Sequence, residues 1–172
     1  MYETFYNVFV PKWKNNIETV YTDTDSLVLH IKTDDVYKDL QDLKDIMDFS
    51  DYPIDHELYN TDNKKVIGKF KDELCGKQMN EFVAIKSKCY AYSIHNDSKD
   101  YKKNKGIQKN AIPKLAEYKD CLYNKKTYNV DTTKLTNKNH EILLQSVNKQ
   151  ALSPYNDKVY IESNGINTKP IS

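Results

Sequence analysis

The chain has 172 residues, a length that suits one domain or a piece of a larger one. Its 26 basic and 25 acidic residues give a net charge of +1, so only local charge clusters could indicate a nucleic-acid partner. Four glycines and five prolines are too few for a disordered linker, and three cysteines without a CxxC pair argue against a disulfide framework or a zinc site.

The first half of the chain predicts a helix, a β-hairpin and a second helix. Aromatic residues at helical spacing predict a short amphipathic helix that ends near Pro11. Two β-prone runs at residues 17–22 and 26–31 flank a turn at Asp23–Thr24 and predict a β-hairpin. Acidic capping residues then precede apolar positions at i, i+4, i+7 and i+11, which predict a helix to about Met47.

The second half predicts strands joined by short connections. The expected elements are a loop at 50–63, a strand at 66–74, a turn at 75–77, a long strand at 81–94, a polar connection at 95–105, a helix at 114–124, strands at 128–135 and 142–147, and an irregular tail. Short connections favour antiparallel sheets, so the expected fold class is α+β. The composition shift near residues 95–105 suggests two domains, at 1–95 and 96–172.

The sequence predicts neither export nor membrane insertion. The N-terminal run MYETFYNVFVPKWK lacks the basic and apolar regions of a signal peptide. No apolar run approaches the roughly 20 residues that cross a bilayer. We therefore expect an intracellular protein with no membrane partner, in a reducing compartment that suits unpaired cysteines.

The run YTDTDS at residues 21–26 places Asp23 and Asp25 one residue apart at the predicted hairpin tip. Asp, Thr and Ser are turn formers, so an ordinary hairpin turn is one interpretation. A calcium loop is excluded, because Leu27 stands at the next ligand position and Val28 at the required glycine.

A divalent-metal site is the other interpretation of the two aspartates. Alternate residues of an extended segment face one side, so Asp23 and Asp25 could converge on one cation. Strict alternation would place Leu27, Leu29 and Ile31 on that side too. Mg²⁺ prefers one or two carboxylates together with water and phosphates. A two-metal phosphoryl-transfer site would also need a carboxylate from another strand.

The same run resembles motif C, Y-x-D-T-D-S, of family B DNA polymerases, with Tyr21, Thr24 and Ser26 as supporting positions. Lys88 and Tyr90 match the K-x-Y element of that family, and KNKG at residues 103–106 matches its K-x-K-G segment. The stretches VIGKFKDEL, YKDCLYNKKT and GINT are similar to the C-terminal region of protein-primed polymerases from polinton (Maverick) transposons, viruses or organelles. The similarity covers nearly the whole chain.

The resemblance implies a partial polymerase palm that carries the motif C hairpin, followed by a small mixed α/β thumb subdomain. Template-directed nucleotidyl transfer would use two Mg²⁺ or Mn²⁺ ions, with Asp25 as a metal ligand and Asp23 as a second catalytic carboxylate. The partners would be a DNA primer–template, a deoxynucleoside triphosphate, a terminal protein primer and the N-terminal polymerase portion. Motif A, D-x-x-S-L-Y-P, and motif B, K-x-x-x-N-S-x-Y-G, have no match here.

A basic region supplies the expected DNA contacts. On the polymerase hypothesis, primer and template phosphates would be held by Lys86, Lys88, Tyr90, Lys103, Lys105 and Gly106. A single strand across residues 81–94 would place Lys86 and Lys88 on one side. A lysine cluster is otherwise an ordinary solvated surface.

Two hypotheses from different classes therefore remain. One is a polymerase fragment that is inactive in isolation, because the motif A carboxylate and the motif B lysine are not matched. The other is a non-catalytic DNA-binding or structural relic of a truncated mobile-element polymerase. The reading frame upstream of Met1 would distinguish them, since an enzyme requires motifs A and B in frame and a relic would be interrupted by stop codons.

Overall fold

The computed structural model describes residues 1–155 and 159–170, and the chain divides into two compact units. Unit 1 is Met1–Met79 and unit 2 is Asn80–Ser172. Both contain helices and β-strands, and antiparallel pairing dominates among the described strands, so the expected α+β class is confirmed.

The N-terminal helical segment of unit 1 continues past Pro11. Its parts are α1 at Tyr2–Thr4, a π-helical turn at Phe5–Phe9, α2 at Val10–Trp13 and a 3-10 turn at Lys14–Asn16. Proline has no N–H to donate within a regular helix, which favours an end at Pro11. In the structure a wider π turn lies directly before α2, and α2 continues through Pro11 to Trp13. The prediction that the helix ends near Pro11 is therefore wrong.

The predicted hairpin and the start of the following helix are confirmed. The hairpin consists of antiparallel strands β1, Ile17–Asp23, and β2, Ser26–Ile31. Helix α3, Val36–Gln41, begins after Asp35, whose carboxylate accepts hydrogen bonds from two backbone N–H groups of the first turn at 3.0 and 3.1 Å. This cap satisfies donors that have no partner within the helix.

Helix α3 ends at Gln41 and does not reach Met47, so the predicted length is wrong. The N–H of Leu43 donates to the carbonyl of Leu40 at 3.0 Å, and that of Ile46 donates to Leu43 at 2.9 Å. These bonds span three residues and mark successive turns. Leu43 and Met47 are nevertheless buried, so their spacing indicated burial and not the extent of the helix.

A short parallel pair follows, formed by β3 at Met47–Asp48 and β4 at Phe70–Lys71. The segment between them is a succession of turns and bends, which confirms the loop expected at 50–63. The strand predicted at 66–74 is reduced to its two β4 residues.

Unit 1 has an aromatic-rich core. Its buried members are Phe9, Trp13, Leu43, Met47, Phe49, Tyr52 and Leu58. Leu27, Leu29 and Ile31 of β2, here called the apolar anchors, pack against this core. The Trp13 ring is 6% exposed, and its Nε1–H donates to Oδ2 of Asp39 at 2.8 Å, which satisfies the buried indole donor.

Unit 2 contains a three-stranded sheet, a helix and two β-ribbons. The sheet has the order β5, β6, β7, with β6 and β7 antiparallel, and the two ribbons are antiparallel. The elements are β5 at Met79–Lys86, β6 at Cys89–Ile94, β7 at Asp100–Asn104, α4 at Leu115–Asn124, β8 at Tyr128–Lys138, β9 at Glu141–Leu152, β10 at Val159–Ile161 and β11 at Thr168–Pro170.

Three predictions for this half require correction. The single strand expected at 81–94 is two strands separated by a turn at residues 87–88, because Lys88 adopts a φ of 58°. The connection expected at 95–105 contains β7, and the tail expected to be irregular contains β11. Residue 95 lies between β6 and β7 of one sheet, and the compact units divide after Met79.

The core of unit 2 lies between one face of the sheet and helix α4. Its buried residues are Val83, Cys89, Ala91, Ile112, Leu115, Tyr118, Cys121, Ala151 and Leu152. The carboxylate of Asp100 on β7 accepts a hydrogen bond from the N–H of Leu115 at 3.1 Å, which caps the start of α4 against the sheet. Among the described residues, no helix is long and apolar enough to cross a membrane.

We predict that Asp39 makes unit 1 sensitive to acid. A hydrogen bond from Thr33 at 2.6 Å, together with the one from Trp13, holds the pKa of Asp39 below its ordinary value. A carboxylate with a lowered pKa stabilises the fold above its ordinary pKa, near 4, and this stability is lost as the pH falls through the lowered value. Asp39→Asn should therefore lose less stability than wild type between about pH 5 and pH 2.

The measurement is the urea midpoint as a function of pH, monitored by tryptophan fluorescence. Trp13 is the only tryptophan, so the signal reports unit 1. Thr33→Val removes the hydrogen bond that lowers the pKa of Asp39 most, and it should give a profile between those of wild type and Asp39→Asn. Identical acid profiles for wild type and Asp39→Asn would contradict the prediction.

Candidate functional site

The acidic motif forms the tip of the β1–β2 hairpin. Asp23 pairs with Ser26 across the strands, so the turn consists of Thr24 and Asp25 and lies one residue later than expected. The N–H of Asp25 donates to the carbonyl of Asp23 at 2.7 Å, and Thr24 between them has a φ of 58°. This is a γ-turn with positive φ, a strained conformation for a β-branched residue.

Three hydroxyl groups of the motif hold this turn. Thr24 Oγ1 donates to Oδ1 of Asp23 at 3.2 Å, and Ser26 Oγ donates to the Asp23 carbonyl at 3.1 Å. Thr22 Oγ1 donates to the carbonyl of Ser26, also at 3.1 Å. Local side-chain bonds of this kind favour turns over continued strand, so the Thr and Ser positions of the motif have a structural role.

Asp23 lies on the face of the hairpin opposite the apolar anchors. Directly opposed residues of an antiparallel pair project to the same face, so Asp23 shares its face with Ser26 and, two residues earlier, with half-buried Tyr21. The expectation that both aspartates face the same side as the anchors is wrong. Asp25 belongs to the turn, where the alternation of strand residues is interrupted.

The chemistry of the tip suits part of a magnesium site. Asp23 is half-buried and Asp25 is exposed. Carboxylate oxygens accessible to water are the ligands that Mg²⁺ prefers in proteins. Across residues 1–155 and 159–170, no three His, Cys, Asp or Glu side chains come together in a way that could hold a metal ion. The remaining ligands would therefore be water, phosphate or a carboxylate from outside the described residues.

The predicted DNA-binding residues gather at one end of the sheet in unit 2. Lys86 ends β5, and Lys103 on β7 pairs with half-buried Tyr90 on β6. The N–H of Lys105 donates to the carbonyl of Lys88 at 3.0 Å, which brings these two backbone segments together. Lys86, Lys88 and Lys105 are exposed, and Lys103 lies on the edge strand of the sheet. The fold thus collects a basic cluster, Lys86, Lys88, Lys103 and Lys105, from two separate stretches of chain.

Lys86 and Lys88 do not share one side of a strand, contrary to the prediction. Lys86 is the last residue of β5, whereas Lys88 lies in the turn before β6 with a positive φ. Within a strand, residues i and i+2 project to the same face, but this alternation does not extend through such a turn. The spacing of Lys86 and Lys88 therefore does not place their side chains on one face.

Gly106 lies in the turn that directly follows β7, and its backbone conformation explains why glycine stands there. Its φ is +93°, a region that side-chain-bearing residues rarely adopt, and a Cβ added there would meet no atom within 4 Å. Its carbonyl accepts a hydrogen bond from Lys149 Nζ at 3.1 Å. The need for glycine thus arises from the turn and not from crowding.

The outer face of the sheet carries four neighbouring aromatic rings, of which only Tyr90 was predicted from the sequence as a site residue. This aromatic strip consists of Phe82 on β5, Tyr90 and Tyr92 on β6, and Tyr101 on β7. All four residues are half-buried. The alternation of tyrosines with smaller residues in CYAYSI at residues 89–94 was the sequence signal for an aromatic face, but only strand pairing places the rings side by side.

Comparison of the chain with protein-family models, curated proteins and solved structures finds no match. The function must therefore be inferred from the motif residues, from the geometry of the hairpin tip and from the charges around it. These features bear on two kinds of chemistry, metal binding by carboxylates and phosphate binding by lysines.

We predict that replacing Thr24 with glycine stabilises unit 1. Glycine adopts positive φ without steric cost, and a residue held in a strained backbone region costs of order 1–3 kcal/mol. After the entropy cost of glycine and the loss of the exposed hydroxyl bond from Thr24 to Asp23 are subtracted, Thr24→Gly should raise the free energy of unfolding by up to about 1 kcal/mol. Urea unfolding followed by Trp13 fluorescence measures this change.

The matched control is Thr22→Gly, two residues away within strand β1. Glycine weakens a strand interior, so this variant should be less stable than wild type. If both glycine variants lose stability equally, Thr24 is not strained and the prediction is wrong.

Proposed function

We propose that the chain is the C-terminal palm and thumb part of a protein-primed family B DNA polymerase from a mobile element or virus. One observation carries this proposal: YTDTDS occupies a tight hairpin tip with Asp25 exposed and Asp23 beside it. A tip of this kind can present two carboxylates to a substrate that arrives from solvent. In the parent reaction, the primer 3′-hydroxyl attacks the α-phosphorus of a deoxynucleoside triphosphate and pyrophosphate leaves.

The motif residues would have distinct roles in that reaction. Asp25 would be a ligand of Mg²⁺ or Mn²⁺, and two such ions, when bound, neutralise charge on the attacking and leaving oxygens. Asp23 adds negative charge next to Asp25, while its own carboxylate accepts the Thr24 hydroxyl. The hydroxyl bonds of Thr22 and Ser26 hold the turn, so the carboxylates are positioned before substrate binds.

The lysines of unit 2 would hold the primer–template through its phosphates. Lys86, Lys88, Lys103 and Lys105 are concentrated at one end of the sheet, in a chain whose net charge is only +1. Phosphate contacts position a duplex without reading its sequence, which is what a replicative polymerase requires. A terminal protein primer and the N-terminal polymerase portion complete the proposed assembly.

A non-catalytic DNA-binding relic is the second candidate, and the ligand count at the tip favours it for the isolated chain. Two carboxylates lie at the tip, and in the described part of the chain no third acid, His or Cys joins them in a metal-binding group. The isolated chain should therefore incorporate no nucleotide on a primed template with Mg²⁺ or Mn²⁺. Incorporation that is lost in Asp25→Asn would contradict this expectation.

The proposed metal role of the tip can be tested by NMR with Mn²⁺. The paramagnetic ion should broaden the backbone amide signals of residues 21–26 at lower concentrations than those of other acidic segments. Asp25→Asn should abolish this selective broadening, because a charged oxygen ligand is lost. Asp34→Asn is the matched control, since Asp34 belongs to another exposed pair of adjacent aspartates. Uniform broadening at every acidic segment would refute the metal role.

DNA binding by the chain should be weak, indifferent to sequence and sensitive to salt. Each phosphate neutralised on duplex DNA contributes a slope of roughly −0.9 to the dependence of log affinity on log salt. If about three or four lysines engage, affinity should fall by about one and a half to two decades between roughly 50 and 200 mM salt. Fluorescence anisotropy of a labelled primer–template at several salt concentrations measures the slope.

Two variants assign this slope to the basic cluster. The double variant Lys103→Ala/Lys105→Ala should flatten the slope by up to about two units, whereas Lys64→Ala, in an exposed loop of unit 1, should leave it unchanged. Strong discrimination between DNA sequences, or binding that resists salt, would exclude a phosphate-tracking role.

A further inference from the structure

The rings of the aromatic strip form one near-parallel array across three strands. Tyr92 and Tyr101 have centroids 5.1 Å apart and planes inclined by 9°. Phe82 lies 5.5 Å from Tyr90 and 6.5 Å from Tyr92, with planes inclined by 31° and 22°. Tyr90 and Tyr92 are 6.4 Å apart at 25°. All four residues are half-buried, so part of each side chain is open to solvent.

The two faces of the sheet differ in composition. Val83, Cys89 and Ala91 project to the opposite face and belong to the core of unit 2. That core already buries one side of the sheet. The half-buried rings therefore add aromatic surface on a side that the core of unit 2 does not use. Cross-strand pairs of aromatic rings stabilise a sheet, and here four rings are neighbours on one face.

The acids of the three strands lie on the core face. Glu81 is two residues before Val83, and Asp100 pairs with Ser93, two residues after Ala91. Their carboxylates accept from Lys119 of α4 and from the Leu115 N–H, and Lys102 on the same face donates to the carbonyl of Ile112 at 2.7 Å.

On the aromatic side, the charged residues of these strands are Lys86, at the end of β5, and Lys103, which pairs with Tyr90. The strand residues of this face are therefore aromatic and basic. One carboxylate from outside the strands, that of Asp97, also reaches the strip, where it accepts the Tyr101 hydroxyl at 2.8 Å.

We propose that the aromatic strip binds single-stranded nucleic acid, with bases stacked on Tyr92 and Tyr101 and phosphates on Lys86 and Lys103. Aromatic rings beside cations match a ligand that offers flat π surfaces at regular intervals along an anionic backbone. Paired bases in a duplex are already stacked on one another, so the ligand is single-stranded. Four rings on one sheet face can stack about two or three bases.

This inference rests on the proposed function only in assigning nucleic-acid contact to unit 2. It goes further, because phosphate tracking by lysines does not require any base to be unstacked. Stacking on aromatic rings tolerates every base, so no sequence preference is needed at this face. A polymerase fragment would use such a face on an unpaired stretch of template.

The decisive experiment uses the wild-type chain and two probes. A fluorescent oligothymidylate of about 12 nucleotides is compared by anisotropy with the same backbone in which the bases are replaced by abasic residues. Stacking is worth about 5- to 160-fold in affinity per base, so the abasic probe should bind at least about fivefold more weakly. Equal binding of the two probes would overturn the proposal without the need for any mutation.

Protein variants then locate the stacking surface. Tyr101→Ala should weaken oligothymidylate binding by at least about fivefold, and the loss should be smaller with the abasic probe. Tyr101→Phe retains the ring but loses the hydroxyl bond to Asp97 at 2.8 Å, so it should bind like wild type. Tyr123→Ala is the matched control, because Tyr123 is 72% exposed on helix α4. An equal loss for Tyr123→Ala and Tyr101→Ala would count against the strip.

A duplex primer–template of the same length separates this proposal from the proposed function. Salt-sensitive duplex binding, with equal affinity for the normal and abasic single strands, would refute base stacking and leave the polymerase assignment standing. Preference for the normal single strand over the abasic one supports the strip whether or not the duplex binds. Binding of neither probe nor duplex would count against both.

Discussion

Packing of Leu27, Leu29 and Ile31 against the core of unit 1 determines where the acidic motif lies. A one-residue slip would turn these side chains toward solvent, so the register of the hairpin is strongly specified. With that register, Asp23 faces away from the core and the turn falls at Thr24 and Asp25. The exposed acidic tip is therefore a consequence of hydrophobic burial on the other face.

The strain at Thr24 is compensated locally. Hydroxyl groups of Thr22, Thr24 and Ser26 donate to oxygen atoms of the same six-residue motif. A turn that is held by its own side chains can keep two like charges close together. A cation near Asp25 would reduce the repulsion between the two carboxylates, which is why the geometry suits a metal role.

Unit 2 places the acids of its three-stranded sheet on one face of that sheet and the aromatic strip on the other. Its core face meets helix α4, and its acids are used there as partners of Lys119 and of the Leu115 N–H. Lys86 and Lys103 remain on the face that carries the aromatic strip. Local segregation of this kind creates a basic surface in a chain with almost no net charge. Net charge was therefore a poor guide to the distribution of charge on this protein.

The sequence alone determined the α+β class, the hairpin, a helix cap within residues 33–35, helix α4 and the acidic pair at a turn. These features depend on residues close together in the chain, such as turn formers and apolar periodicity. The sequence did not predict the end of α3 correctly, because Leu43, in a turn, and Met47, in β3, are buried just as they would be on a helix. Burial patterns report which residues are inside, not which backbone conformation places them there.

Only the tertiary structure decided which residues lie side by side across strands. A positive φ at Lys88 divides the predicted long strand in two, and Lys103 then lies opposite Tyr90. The same pairing places Tyr101 next to Tyr92 and completes the aromatic strip. Strand pairing joins residues that are distant in sequence, and the register follows from packing of whole faces. For this reason the basic cluster and the strip could not be assembled from local sequence patterns.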